Sequence, residues 1–346
     1  MKIALITDTH FGVRNDNLMF AEYQKKFFME DFWPVVKEQC DAIIHLGDTF
    51  DRRKFINYNS LHLAKEMFFN PSTTFDGEVH MIIGNHDTYY KRKNNVNAPD
   101  LLLSDYPIKT YQLIPSELKL GGVNFLMVPW IAKDHERDAL EIIANSKADI
   151  VCGHLELNGF EMHAGIVCQT GTPTKVFKHF DEVWSGHFHR KNSKGNITYL
   201  GNAYQLTWAD YGDERGFHIF DTETRTKTFY KNNQEMFVKL MYDEDKIPEI
   251  LPNSLTDKMV KVFVTNKKNP FLFDTFITDI EVQNPLDISI LEDFSELEVG
   301  EMQIETKDTL SILTQYVDQL EYQRPEDLKL LMSNLYSEAS QLRDFV

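Results

Sequence analysis

Five times in its first 190 residues the chain repeats one arrangement, a short apolar run that stops in a cluster of Asp, Asn and His. Residues 3–7 lead into Asp8-Thr9-His10, and 42–46 into Gly47-Asp48-Thr49-Phe50-Asp51-Arg52. Residues 79–83 lead into Gly84-Asn85-His86-Asp87, 149–152 into Gly153-His154, and 182–185 into Gly186-His187-Phe188-His189. Runs that are apolar at consecutive positions suit strands covered on both faces. Helical periodicity at 23–37 and 60–69 falls between some of them, so strand and helix alternate and a layered α/β fold is expected. In such folds ligands gather beyond the carboxyl ends of the strands, which would bring the five clusters together.

Singly, each cluster is an ordinary turn or cap; five in order at strand ends read as a metal site. Two divalent cations about 3.5–4 Å apart need a shared carboxylate with nitrogen and oxygen ligands around each. Asp48, in a sharp Gly-Asp turn, suits the bridge, and His187 and His189 can reach adjacent ions from a turn. Cys40, Cys152 and Cys168 stand outside the clusters without CxxC spacing. That disfavours structural zinc and favours harder, exchangeable ions such as manganese. Arg52-Arg53-Lys54 and Lys91-Arg92-Lys93 follow two of the clusters and are expected to hold a phosphate backbone. His45, inside a strand, and Trp130, Trp184 and Trp208 read as packing residues, and Cys152 as a buried apolar one.

Past residue 200 the pattern changes. Residues 216–220 and 226–230 predict a hairpin in a second, antiparallel sheet of the same domain, and 237–242 and 260–264 predict strands of a small α+β unit. Residues 286–305 carry seven acidic side chains and no Lys or Arg, as a self-repelling linker would. Two amphipathic stretches follow, with Leu310, Leu313, Val317 and Leu320 on the first and Leu328, Leu331 and Leu335 on the second. Such a pair cannot bury its apolar stripe alone and must dock on a partner or on its own domain. The expected division is therefore 1–234, 235–285, a linker at 286–305, and a helical pair at 306–346. No run approaches the 18 or so apolar residues of a membrane span, and a reducing cytoplasm is the simplest home.

The quoted clusters resemble the signature of calcineurin-like metallophosphoesterases, within which the chain is similar to the SbcD-type, or meiotic-recombination-eleven, nucleases. Segments 151–160, 182–189 and 215–224 are similar to the T-even bacteriophage branch of that family. The resemblance implies a four-layer α/β/β/α sandwich with a small capping domain that contacts DNA. It implies one ion on Asp8, His10, Asp48 and His189 and another on Asp48, Asn85, His154 and His187, with two Mn2+ bound and Mg2+ a possible substitute. His86 would protonate the leaving oxygen or stabilise developing charge, and Asp51 would orient and charge-support His86. It further implies double-strand exonuclease and single-strand endonuclease activity in DNA repair and recombination, a homodimer, and an SMC-like ABC-type ATPase partner docked by the helices at 306–346. Helices near 60–69 and 98–106 are candidates for the dimer contact. In a phage-encoded protein the compartment would be the bacterial host cytoplasm.

Charge bears on the substrate. The chain has 36 Lys+Arg against 53 Asp+Glu, a net −17 that argues against unassisted DNA binding. Residues 1–200 hold 22 basic and 25 acidic side chains, so most of the excess lies further on. Two divalent ions would make the first part slightly positive. A protein phosphatase or small-molecule phosphodiesterase on the same scaffold is the competing reading, and the chain after residue 231 is what it leaves without a use.

Overall fold

The computed structural model describes residues 1–163, 166–246 and 254–292. The helical stretches carrying Leu310, Leu313, Val317, Leu320, Leu328, Leu331 and Leu335, and positions 293–305, lie outside the described residues. In chain order the strands are β1 (Lys2–Ile6), β2 (Ala42–His45), β3 (Glu78–Ile82), β4 (Ile108–Tyr111), β5 (Ser116–Leu120), β6 (Val123–Val128) and β7 (Ile150–His154). They continue as β8 (Glu161–His163), β9 (Ile166–Val167), β10 (Glu182–Gly186), β11 (Asn192–Lys194), β12 (Ile197–Tyr199), β13 (Gly216–Asp221) and β14 (Thr226–Lys231). The last three are β15 (Phe237–Asp243), β16 (Met259–Asn266) and β17 (Asp287–Leu291).

Two six-stranded sheets form the body, in the orders β14-β13-β1-β2-β3-β4 and β11-β12-β10-β7-β6-β5. Alternation along each strand divides the apolar side chains between two layers. Ile3, Leu5 and Ile44 point between the sheets, where they meet Phe125, Ile150 and Trp184 of the second sheet. Ala4, Ile6 and Ile43 point the other way, onto a cluster rich in phenylalanine from residues 20–69. Leu126, Val151 and Val183 cover the outer face of the second sheet with Ile143 of the helix Glu136–Asn145. The result is four layers, helix, sheet, sheet, helix, because every central strand has two apolar faces to bury.

The helical periodicity at 23–37 belongs to one continuous rod, Leu18–Lys26, a π-helical turn at Phe27–Phe32, and Trp33–Gln39. A second π-helical turn at Lys65–Phe69 interrupts the other helix. Both turns present phenylalanines to the same core: Phe28 and Phe68 lie 5.5 Å apart between ring centroids, edge to face. That arrangement adds to the burial of large rings.

Two expectations need correction. Strands β13 and β14 do not make a separate antiparallel sheet. β13 pairs antiparallel with β1 and so extends the first sheet. Its first five residues are all buried, which only an interior strand can satisfy. The acidic stretch does not begin as a linker either. Residues 287–291 form β17, paired in parallel register with β16. The sequence there is Asp-Ile-Ser-Ile-Leu, and its β-branched alternation outweighs the lone Asp. β15, β16 and β17 make a three-stranded sheet whose Val260, Val262 and Tyr242 pack on Phe273, Phe276 and Ile280 of the helix Pro270–Glu281. The small unit therefore reaches residue 291.

Candidate metal centre

The predicted residues meet where β1, β2, β3, β7 and β10 end. The parallel register between these neighbours sets their carboxyl ends side by side. Asp8, His10, Asp48 and His187 all have positive φ, at 52°, 42°, 53° and 85°. The left-handed region is unfavourable for residues with a Cβ and persists in a fold mainly where surrounding contacts enforce it. The chain thus turns out of its strands in the least ordinary way at these four positions, and each turn aims a side chain at the same point.

Around that point Asp48 is central. Its Oδ2 lies 3.3 Å from His154 Nε2 and 3.7 Å from His10 Nε2, and its Oδ1 accepts the His86 amide at 2.8 Å. Asn85 Oδ1 lies 3.0 Å from His154 Nε2 and 2.9 Å from His187 Nδ1. His10 Nε2 and His189 Nε2 lie 3.1 Å apart, and each is 3.9 Å from Asp8 Oδ1. Three groups of side chains bring donor atoms within 4.8 Å of one another: Asp8, His10 and His189; Asp48, His154 and His187; and His10, Asp51 and His86. Nitrogen and oxygen lone pairs converge here without thiolate, a donor set suited to manganese or magnesium as well as zinc. The residues present fit a pair of cations.

The supports are built in. His154 Nδ1 donates to Leu46 O at 2.8 Å, which leaves Nε2 facing the centre. Burial alone would lower the pKa of His154, but the Asp48 carboxylate lifts it to about 9, so a cation there competes with a proton. His10 goes the other way, held well below the usual imidazole value by burial and in its neutral, ligating form. Asp8 accepts the Thr7 hydroxyl and the His187 amide. Glycine is required where backbones nearly touch. A Cβ on Gly47 would stand 2.6 Å from His154 Nδ1 and 2.9 Å from Gly84 Cα.

Asp51 differs from expectation. His86 Nδ1 donates to the main-chain carbonyl of Asp51 at 2.6 Å, while the Asp51 carboxylate lies 3.6 Å from His10 Nδ1. The backbone carbonyl meets His86 directly, while an Asp51 carboxylate oxygen stays within 4.8 Å of a His86 ring nitrogen, near enough to support its charge. The basic residues make their contacts outside the donor cluster. Arg52 pairs with Asp16, Arg53 holds the 88–90 backbone, and Arg92 and Lys93 lean on Asp134. Lys91 continues the same exposed stretch.

Three contributors carried no sequence expectation of a part in the site. Asp87 is fully buried and accepts the amides of Thr49, Phe50 and Gly84 at 2.9, 3.2 and 2.9 Å, tying the second cluster to the third. Its place in the Gly-Asn-His-Asp run was the available signal. Trp130, expected as packing, sets its ring 5.1 Å from that of His187 and so walls the site. Arg215 donates to the His189 carbonyl, Asn202 Oδ1 and Asp210, and the likeness at 215–224 begins on it without giving it a role.

Residues 1–214 match the family of calcineurin-like phosphoesterases. The chain is 31% identical to exonuclease subunit 1 of Enterobacteria phage T4, over 99% of this chain and 100% of the relative. It is 27% identical to the SbcD component of the nuclease SbcCD of Staphylococcus epidermidis, over 79% and 78%. With the DNA double-strand break repair protein Mre11 of Sulfolobus acidocaldarius it shares 29% identity, over 43% and 38%. With the strand-end donors in that order and a match across well over half its length, the chain belongs to the calcineurin-like phosphoesterase family.

Proposed function

We propose that the chain is a manganese-dependent DNA nuclease, a double-strand exonuclease and single-strand endonuclease acting in DNA end processing. The observation that carries this is the convergence at the strand ends of seven donor side chains, with His86 beside them. One ion would be held by Asp8, His10, Asp48 and His189, the other by Asp48, Asn85, His154 and His187. Bound there, the ions would lower the pKa of a water and neutralise charge building on the phosphate.

The chain's own residues do the rest. His86 keeps its Nδ1 proton on the Asp51 carbonyl, so Nε2 is the atom that, in the imidazolium form, would stabilise the developing charge or give its proton to the leaving oxygen. Its ring stands 4.9 Å from that of His10, at the edge of the donor cluster. Trp130 narrows the space beside His187. The likeness to relatives named as nuclease subunits, full-length for the phage T4 one, favours this reading over a phosphatase.

The same reading assigns residues 1–234 to catalysis, the unit from 235 to DNA contact, and the stretch at 306–346 to an ABC-type ATPase partner. A homodimer is supported by a 220 Å³ groove lined by Phe55, Tyr58, Leu61, Ala98 and Leu101, in which Tyr58 is 90% and Leu101 66% exposed.

The test is His86→Asn, assayed for cleavage of linear duplex DNA in manganese and for manganese binding by calorimetry. Cleavage should disappear and binding persist. Loss of both would make His86 a ligand, and turnover of a phosphopeptide by the unaltered protein without DNA cleavage would favour the phosphatase.

A further inference from the structure

Tyr89 and Tyr90 stand three and four residues past His86, and the chemistry above does not use them. They begin a loop that is closed at its base. Tyr89 N–H donates to Val96 O at 2.9 Å, Ala98 N–H donates to Asp87 O at 2.8 Å, and Thr88 bridges to Asn97. Arg53 pins one side, donating to Thr88 O at 3.2 Å and to Thr88 Oγ1 and Tyr90 O at 3.1 Å each. The other side is tied to the wall of the metal centre. Asn94 Nδ2 donates to Trp130 O at 2.6 Å, and Asp134 N–H donates to Arg92 O at 3.2 Å. Trp130 is the residue whose ring faces His187, so loop and site share one support.

On this pinned loop the two rings meet edge to face, 4.8 Å apart, and remain 44% and 49% exposed. Tyr89 also lines the apolar groove, whereas Tyr90 does not. Tyr90 is followed directly by Lys91, Arg92 and Lys93. A fixed aromatic face beside a run of cations is what binding of an unpaired strand uses: bases stack on the ring while cations track the phosphates. Inside a duplex the base faces are covered by their neighbours, so only a terminal or unpaired base can stack on a protein ring.

Resting on the nuclease reading, we infer that Tyr90 is the stacking platform for the unpaired base next to the phosphodiester that is cut. Tyr89 buttresses it. The centre therefore takes frayed ends and single strands in preference to the interior of a duplex.

The experiment uses the full-length protein in EDTA, so that no cleavage occurs, and a short single strand with 2-aminopurine near its end. Stacking quenches the fluorescence of that base. Tyr90→Phe should bind and quench as the unaltered protein does. Tyr90→Ala should lose most of the quench and bind the strand about 5- to 100-fold more weakly, with little change toward a blunt, GC-rich duplex of equal length. Thermal melting at the unaltered temperature shows that the Ala variant is folded. Full quenching by Tyr90→Ala, or equal weakening toward strand and duplex, overturns the proposal. The nuclease reading is judged separately by cleavage in manganese: a protein that cuts DNA while Tyr90→Ala quenches normally loses this inference alone.

Discussion

Replacing Gly47 with alanine should damage the site in a way that a matched glycine elsewhere does not. Gly47 has φ +97°, and its added Cβ would lie 2.6 Å from His154 Nδ1, about 0.8 Å inside ordinary contact. Neither partner can yield cheaply. His154 Nδ1 is committed to Leu46 O, Gly47 O accepts the Asp8 amide, and the next-nearest atoms are the backbone of Gly84. Gly122 is the control, with φ +81° and nothing within 4 Å of a Cβ. Gly122→Ala therefore carries backbone strain alone, about 1–2 kcal/mol. Gly47→Ala carries the same strain plus about 1–3 kcal/mol of overpacking. At about 2–4 °C per kcal/mol for a domain of this size, scanning calorimetry should place Gly47→Ala a further ~2–12 °C below Gly122→Ala. A displacement approaching 1 Å at His154 should also cost about 100-fold in cleavage rate. Should Gly47→Ala melt with Gly122→Ala and keep full activity, the close-packed support argued for His154 is wrong.

Asp87→Ala strands three buried amides, at Thr49, Phe50 and Gly84. With each unsatisfied donor worth about 1–3 kcal/mol, urea unfolding should show a loss above ~3 kcal/mol; a loss below ~1 kcal/mol would mean that the amides find other partners. His218, in the interior of β13, has its pKa lowered to about 3 by burial, then by Lys227 and Lys191. Its folded value lies below the unfolded one, so the stability tied to its neutral form is present above about pH 6.5 and drains away as pH falls toward the folded pKa. Between pH 7 and 5 this one residue should remove about 2 kcal/mol, and His218→Phe should flatten the unfolding profile by that amount. Parallel profiles for the two proteins would refute the assignment.

The strands and the polar clusters were legible because both rest on local pattern. Consecutive apolar positions in β1, β2, β3, β7 and β10 follow from burial on both faces, and the residues after them could only lie beyond the strand ends. What escaped depends on contacts far apart in sequence. That β13 joins β1 is a pairing across more than 200 residues, and the hairpin itself reads the same in either sheet. β17 was hidden by composition, since charge counted over 20 residues masks an alternating run of five. Asp51 shows a different blindness. Residue type advertises a carboxylate, whereas the atom that meets His86 is a carbonyl that every residue possesses. Arg215 acts on His189 from 26 residues away, through a turn whose shape Asp210 sets by accepting the Leu206 and Thr207 amides.

The backbone at the centre explains why so much distant structure is needed. Asp8, His10, Asp48 and His187 sit in left-handed conformations that each cost about 1–2 kcal/mol, a total comparable with the whole net stability of a domain. Local sequence cannot maintain that. It is maintained by bonds reaching in from elsewhere, such as Asp8 N–H to Gly47 O, His10 N–H to Asp48 O, and Gln24 and Tyr204 holding the Thr9 carbonyl between two of these positions. The same supports crowd lone pairs together, Asp48 and Asn85 both facing His154 Nε2 and Asn85 also facing His187 Nδ1. Such an arrangement is self-repelling until a cation or a proton enters it. The net −17 is therefore a poor guide to what the chain binds. The sign that matters is set over a few ångströms at the strand ends, where the fold holds a concentration of negative charge and lone pairs that bound cations would neutralise and make attractive to a phosphate.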